Sequence, residues 1–142
     1  ISFAKYLSLS VQGNWIEGEE TDDNQDKDVP LRHAPPFYGN SHLKFNHKKL
    51  QADFYLVWNG EISNASLAPS EQAKTFIYAK DQNGNPYVPK WHTFNFKLGY
   101  QLNDHLMVTG GWENITNQLY RPYSSGIAAP GSNFIFSIRA SL

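Results

Sequence analysis

Alternation of apolar and polar side chains, with a period of two residues, is the feature that most constrains this chain. The pattern is typical of a β-strand, in which successive side chains point to opposite faces. Six segments of the sequence carry it, and turn-forming residues bound each of them. We therefore predict an all-β fold, an antiparallel meander of six strands near residues 2–16, 36–46, 49–61, 91–102, 106–114 and 131–142.

The alternation gives each predicted strand one apolar face and one polar face. The apolar face includes Leu9, Phe54, Phe96, Val108 and Phe136. The polar face includes Gln12, Asp53, Lys97, Thr109 and Arg139. Alternation alone leaves two architectures open. A soluble sandwich or small barrel buries the apolar face, whereas a transmembrane barrel turns it outward to lipid.

The connectors between the predicted strands alternate strictly between short and long. Short polar turns at residues 46–49 and 103–105 follow the second and fourth strands. Long connectors near residues 17–36, 60–90 and 114–131 join the others, and they are rich in turn formers, so no helix need be assumed there. Outer-membrane barrels show this asymmetry, with tight turns on one side and extended loops on the other.

Tryptophan falls at one rim of the predicted sheet. Trp15, Trp58 and Trp112 end their strands just before a long connector, and Trp91 begins its strand just after one. Three of the four continue the apolar face. Amphipathic rings collect at membrane–water interfaces, so we predict that all four form part of an aromatic girdle. The alternative is that they cap a soluble core at one end.

The composition argues against several classes of function. Lys and Arg number 12 against 13 Asp and Glu, so the basic excess expected of a nucleic-acid-binding protein is missing. Cysteine is absent, which removes disulfides, thiolate metal sites and cysteine nucleophiles. No apolar run approaches the roughly 18 residues of a membrane-spanning helix. Ser124-Ser125-Gly126 lacks a nucleophile elbow, and we predict neither catalysis nor a cofactor.

An acidic stretch at residues 19–28 partly matches a calcium-binding loop. Asp22, Asn24, Asp26 and Asp28 have the ligand spacing that opens an EF-hand. However, Lys27 occupies the position that requires glycine, and His33 stands where a bidentate glutamate is needed. We predict a solvated loop without a metal. Asp53 and Glu113 are likewise expected to be solvated charges on the polar face.

Three short motifs resemble those of TonB-dependent receptors. Residues 111–120 read Gly-Trp-Glu-Asn-Ile-Thr-Asn-Gln-Leu-Tyr and are similar to the penultimate strand of these receptors as it enters the last extracellular loop. Ala129-Pro130-Gly131 resembles the turn that opens the final strand, and residues 35–39 resemble an earlier strand entry. The sequence departs from the family pattern at Ser132, where arginine is usual, and at Leu142, where an aromatic residue is usual.

The resemblance implies a fold, a location and partners. The chain would be part of a plugged, 22-stranded transmembrane barrel in the bacterial outer membrane. It begins Ile1-Ser2-Phe3 without an initiator Met, so residues 1–142 are expected to be a single C-terminal barrel segment, without the plug domain and earlier strands. Its partners would be outer-membrane lipid, the plug domain, the remaining strands and, through the N-terminal part, the TonB complex.

The resemblance also implies import of a scarce, bulky nutrient: a ferric siderophore, haem, cobalamin or a glycan. Ligand contacts would come from loop residues, of which the best candidates are Tyr38, Trp91, Tyr120, Arg121 and Tyr123. Two alternatives stay open, a soluble β-barrel or sandwich that binds carbohydrate or another ligand, and a porin-like channel without a plug. Because open sheet edges recruit other strands, the isolated chain is expected to self-associate.

Overall fold

The structure is a computed structural model that describes residues 1–22 and 26–141. In chain order its strands are β1 (Ser2–Ala4), β2 (Leu7–Asn14), β3 (Glu19–Asp22), β4 (Lys27–Pro30), β5 (Tyr38–His47), β6 (Leu50–Asn59), β7 (Ala79–Lys80), β8 (Pro86–Tyr87), β9 (Trp91–Asn103), β10 (Leu106–Glu113) and β11 (Asn133–Ala140). Over the described residues, seven of them form one antiparallel sheet in the order β1-β2-β5-β6-β9-β10-β11. The predicted all-β meander is confirmed.

The first predicted strand, residues 2–16, is wrong as a single strand. The chain turns at Lys5 and Tyr6, so that β1 and β2 form a hairpin. Ser2 pairs with Ser8 and Ala4 with Leu7, so the register of this hairpin shifts by one residue between the two pairs. In the sequence, the apolar residues Phe3, Leu7 and Leu9 keep the period of two across this turn, which is why the pattern gave no sign of it.

Short turns and long loops lie at opposite ends of the strands, as predicted. The short turns, at residues 5–6, 48–49 and 104–105, lie at one end. We call residues 15–37, 60–90 and 114–132 the first, second and third long loops. Small hairpins lie inside two of them, β3 with β4 and β7 with β8. The second long loop also holds a 3₁₀ turn, Asn64–Ser66, and a one-turn α-helix, α1 (Pro69–Gln72), which the sequence did not lead us to expect.

Burial in the sheet is the reverse of that in a soluble β-protein. On the apolar face Phe136 is 69 % exposed and Val11 is 65 % exposed. On the polar face, near the loops, Thr93 and Asn95 are buried. The buried apolar cluster lies instead in the second long loop and consists of Ile62, Leu67, Tyr78 and Val88. The loops therefore have a core of their own, while the apolar face of the sheet is left uncovered.

Two sequence predictions reach beyond the described residues. Asn24 of the partial calcium motif and Leu142 at the end of the last predicted strand lie outside them. Among the residues that are described, no cluster of three His, Asp or Glu side chains could hold a metal ion. In the same part of the chain, no helix is long and apolar enough to cross a membrane.

Candidate functional site

The third long loop begins at a buried asparagine that organises the turn. Asn114 is 3 % exposed and has a φ of 49°, in the left-handed region that asparagine tolerates better than most residues. Its Oδ1 accepts from the backbone N–H of Gln118 at 2.8 Å, and its Nδ2 donates to the carbonyl oxygen of Pro130 at 3.1 Å. The side chain of Asn114 therefore joins the start of the third long loop to its end.

The same motif holds the far end of the loop. The Oδ1 of Asn117 accepts from the backbone N–H of Ser132 at 2.9 Å. A Cβ atom at Gly131 would lie 2.6 Å from that Oδ1, so a larger residue there would displace the Asn117 amide from its hydrogen bond. The sequence motif Asn-Ile-Thr-Asn and the later Pro-Gly are thus parts of one clasp, and it fixes where Tyr120, Arg121 and Tyr123 lie.

A cleft of about 350 Å³ lies between the second and third long loops. It is lined by four of the five residues that the sequence suggested as ligand contacts: Trp91, Tyr120, Arg121 and Tyr123. Tyr78 and Lys90 also line it, and the sequence had not suggested either. Tyr38 is not among the lining residues. It pairs with Asn59, which pairs with Trp91, so Tyr38 lies two strands from the cleft on the same polar face.

Two aromatic rings form one wall of the cleft. Trp91 stacks on Tyr120 with their ring centroids 4.0 Å apart. The Nε1 of Trp91 is buried and donates to no acceptor among the described residues. A buried donor without an acceptor costs about 1–3 kcal/mol.

The cleft also presents hydrogen-bond donors that stay protonated. Burial raises the pKa of the Tyr120 hydroxyl, and the nearby Glu113 charge raises it further. Burial, followed by the charge of Glu71, does the same for Tyr123. Both hydroxyls are therefore neutral at physiological pH and able to donate. With the cations Lys90 and Arg121 beside them, the cleft can hold a planar group that carries acceptor oxygens.

A buried carboxylate lies behind the cleft, and sequence reasoning missed it. Glu71 of α1 is 1 % exposed; its Oε1 lies 2.6 Å from the Nζ of Lys74, and the hydroxyl of Tyr78 donates to its Oε2. Burial alone would raise the pKa of this carboxyl, but the hydrogen bonds from Lys74 and Tyr78 hold it below its ordinary value. Burial, then Glu71, raises the pKa of Tyr78. The sequence around it, Ser70-Glu71-Gln72, looks like any solvated loop.

Paired charges line the polar face below the cleft. Asp53 lies 2.9 Å from the Nδ1 of His42, on the neighbouring strand. Glu113 lies 3.4 Å from the Nζ of Lys97 and accepts from the hydroxyl of Tyr55 at 3.0 Å. Both carboxylates are on the predicted polar face, but each is held by partners and not solvated singly.

The four tryptophans divide between the two faces of the sheet. Trp112 stacks on Phe134 on the apolar face, and the Trp58 ring lies so close to Gly39 that a Cβ atom there would be 2.6 Å from it. Trp15 lies one residue beyond β2 and is 71 % exposed. Trp91 pairs with Asn59 on the polar face and turns toward the cleft. The aromatic girdle stays a prediction, and Trp91 is the tryptophan that does not continue the apolar face.

These features together define one class of protein. The sheet is antiparallel, its apolar face is exposed, and its polar face is buried near the loops. Short turns lie at one end of the strands and long loops at the other. That is the wall of a β-barrel of the outer-membrane type. A family model described as the TonB-dependent receptor-like β-barrel matches residues 2–115, and the chain belongs to this family.

Solved structures of such barrels share the fold. The copper transporter OprC superposes with a TM-score of 0.75 at 13 % identity, over 97 % of this chain and 21 % of its own. A mutant of the ferric enterobactin receptor PfeA from Pseudomonas aeruginosa gives 0.68 at 14 % identity, over 99 % of this chain and 20 % of its own. The siderophore receptor PiuA from Acinetobacter baumannii gives 0.61 at 13 % identity, over 97 % of this chain and 20 % of its own.

The chain spans about a fifth of the length of these solved proteins. At such low identity they show the fold and not the ligand. A comparison with curated protein sequences gives no match.

Proposed function

We propose that this chain is a wall segment of a TonB-dependent receptor of the bacterial outer membrane, which imports a scarce and bulky nutrient. The observation that carries the proposal is the reversed burial of the sheet. Phe136 and Val11 are more than half exposed on one face, while Asn95 is buried on the other. Lipid would cover the apolar face, and closure with further strands would satisfy the two free edges.

The partners would be those that the family implies. The polar face, with the His42–Asp53 and Lys97–Glu113 pairs, would line the lumen and face a plug domain. The remaining strands would pair with β1 and β11, and the TonB complex would act through a part of the receptor outside this chain. The motif at residues 111–131 supports a place among the last strands of the barrel.

The ligand site would be the cleft between the second and third long loops. Trp91, Tyr120, Arg121 and Tyr123 converge there, and Tyr38 would extend the surface along the rim. The class of nutrient remains a ferric siderophore, haem, cobalamin or a glycan.

Nutrient-limited growth tests the transport proposal. The gene for the full receptor would be deleted and the strain supplied, one at a time, with ferric siderophores, haem, cobalamin or oligosaccharides as the limiting source. We expect growth to fail on one source and to return with the wild-type gene. Failure of the Arg121→Ala gene to restore growth, with restoration by Ile127→Ala at an exposed position of the same loop, would place ligand contact in the cleft.

A porin-like channel is distinguished by conductance. A receptor closed by a plug passes little current in a planar bilayer, whereas an open channel conducts steadily. Growth of the deletion strain on every source, together with steady conductance of the full protein, would replace the transport proposal with the channel. The soluble ligand-binding module is disfavoured because Phe134, Phe136 and Ile138 form a contiguous exposed stripe along β11.

A further inference from the structure

The buried carboxylate of Glu71 is contacted from two of the long loops. Lys74 and Tyr78 of the second loop bind its two oxygens, and the Nδ1 of His33, from the first loop, lies 3.7 Å from Oε1. We propose that Glu71 is a positioning residue for the cleft, whose carboxylate fastens the second long loop to the loops on both sides and so holds the cleft wall in place. The inference rests on the proposed function where it treats the cleft as the ligand site.

The connection from Glu71 to the third loop runs through Tyr78. Tyr78 lines the cleft and belongs to the buried cluster of the second loop. Tyr123 of the third loop packs against that cluster. The Nη1 of Arg121 donates to the carbonyl oxygens of Phe76 at 3.5 Å and Ile77 at 3.3 Å. The third loop is therefore docked on the segment that Glu71 holds through Tyr78.

A carboxylate at this position has consequences that an apolar side chain would not have. An ionised group that is 1 % exposed is stable only while its oxygens are paired. Its removal leaves the hydroxyl of Tyr78 without its acceptor and Lys74 without a counter-charge, and takes away the carboxylate beside His33. Because these partners come from separate loops, the loss is expected to loosen all three loops and not α1 alone.

Hydrogen exchange on the full receptor in detergent micelles tests the coupling without any ligand. The reporters are the N–H of Leu31, which donates to Gly18 at 2.9 Å in the first loop, and the N–H of Ala129, which donates to Tyr120 at 2.9 Å in the third. In Glu71→Gln we expect peptides that carry these amides to exchange about tenfold faster, a factor that corresponds to about 1.4 kcal/mol of lost protection. Peptides from β6 and β9 should not change.

Two further variants keep the result interpretable. Glu61→Gln removes an exposed carboxylate from the same loop and should leave every peptide as in the wild type. Tyr78→Phe keeps the charge of Glu71 but removes the hydroxyl that donates to it, and should reproduce the faster exchange in the third loop. If Glu71→Gln prevents folding, Tyr78→Phe still provides the test.

A cleft readout separates positioning from general loosening. In receptor labelled with 5-fluorotryptophan, the Trp91 resonance is identified by its loss in Trp91→Phe. We expect it to shift in Glu71→Gln, to stay in place in Glu61→Gln, and to return toward the wild-type position in Glu71→Asp. Acceleration confined to α1, or an unshifted Trp91 resonance, would overturn the inference. Neither readout depends on transport, so failure of the transport proposal would be seen separately in the growth experiments.

Discussion

The backbone N–H of Asn114 donates a hydrogen bond of 2.8 Å to the Oδ1 of Asn95, which joins the end of β10 to the polar face of β9. Both residues are buried, at 3 % and 4 % exposure. The Nδ2 of Asn95 in turn donates to the carbonyl oxygens of Tyr55 and Thr93. Side-chain and backbone amides therefore join the polar face of β9 to β6 and to the start of the third long loop.

Replacement of Asn114 by alanine should release the third long loop. The change removes the side-chain bonds to Gln118 and Pro130 and leaves alanine with a φ of 49°. We expect a loss of about 2–3 kcal/mol in the local stability of the loop. Limited proteolysis of the full receptor should show new cleavage within residues 115–131. An unchanged cleavage pattern would mean that the clasp is not needed to hold the loop.

Replacement of Gly39 by alanine should disturb the packing between β2, β5 and β6. A Cβ atom there would lie 2.1 Å from the backbone carbonyl oxygen of Gln12 and 2.6 Å from the Trp58 ring. We expect a destabilisation of about 1–3 kcal/mol in urea unfolding of the receptor in lipid. Gly126→Ala is the matched control, since nothing lies within 4 Å of the added atom. Equal unfolding midpoints in both variants would contradict the predicted clash.

Arginine should be tolerated on one face of the sheet and not on the other. Phe54→Arg would place a charge in lipid near the middle of β6, at a cost of about 2–4 kcal/mol. Thr109→Arg, on the polar face, should cost well under half as much. Asn95 is unsuitable as the polar-face control because it is buried and hydrogen-bonded. The measurement is folding in liposomes, and similar losses for the two variants would refute the assignment of the faces.

The loops should weaken in acid because of Glu71. Its pKa in the folded protein lies below the ordinary value of 4.5, so its contribution to stability is complete above pH 4.5 and is lost as the pH falls through the lower, folded value. The groups that face it are Lys74, Tyr78, His33 and Tyr123. Near-ultraviolet circular dichroism of the receptor should show a transition below pH 4.5 that is absent in Glu71→Gln. Identical titrations would contradict this.

The isolated chain should self-associate in buffer without detergent. β1 and β11 each present an unpaired edge, and the apolar face of the sheet has no cover among the described residues. Light scattering should report assemblies larger than the 16.2 kDa of one chain. A monodisperse monomer that unfolds cooperatively would instead favour the soluble binding module.

Much of the fold could be predicted because alternation with a period of two is a local property. It located the strands of the main sheet but not the β1–β2 turn, because Phe3, Leu7 and Leu9 continue the period of two in the sequence. Trp91 was placed in the girdle because it shares a rim with the other tryptophans, although rim position does not determine which face a side chain occupies. Its pairing with Asn59 shows the face.

The cleft was partly predictable and Glu71 was not. Tyr120 ends the motif at residues 111–120, and Arg121 and Tyr123 come directly after it. Their position near Trp91 therefore depends on hydrogen bonds made by the motif itself. Glu71 is buried by tertiary packing, with Tyr78 of its own loop bonded to it and His33 of the first loop close by. No short sequence motif predicts that packing, and glutamate in a polar loop is ordinarily exposed.

The most direct test of the central claim is a spin-label scan along β6 in the full receptor reconstituted into liposomes. Cysteine would replace each residue from 51 to 58 in turn, and collision with dissolved oxygen would report exposure to lipid. We predict maxima at Ala52, Phe54, Leu56 and Trp58, with minima at the residues between them. Maxima at Asp53, Tyr55 and Val57, or no period of two residues, would contradict the assignment of this chain to the wall of a transmembrane barrel.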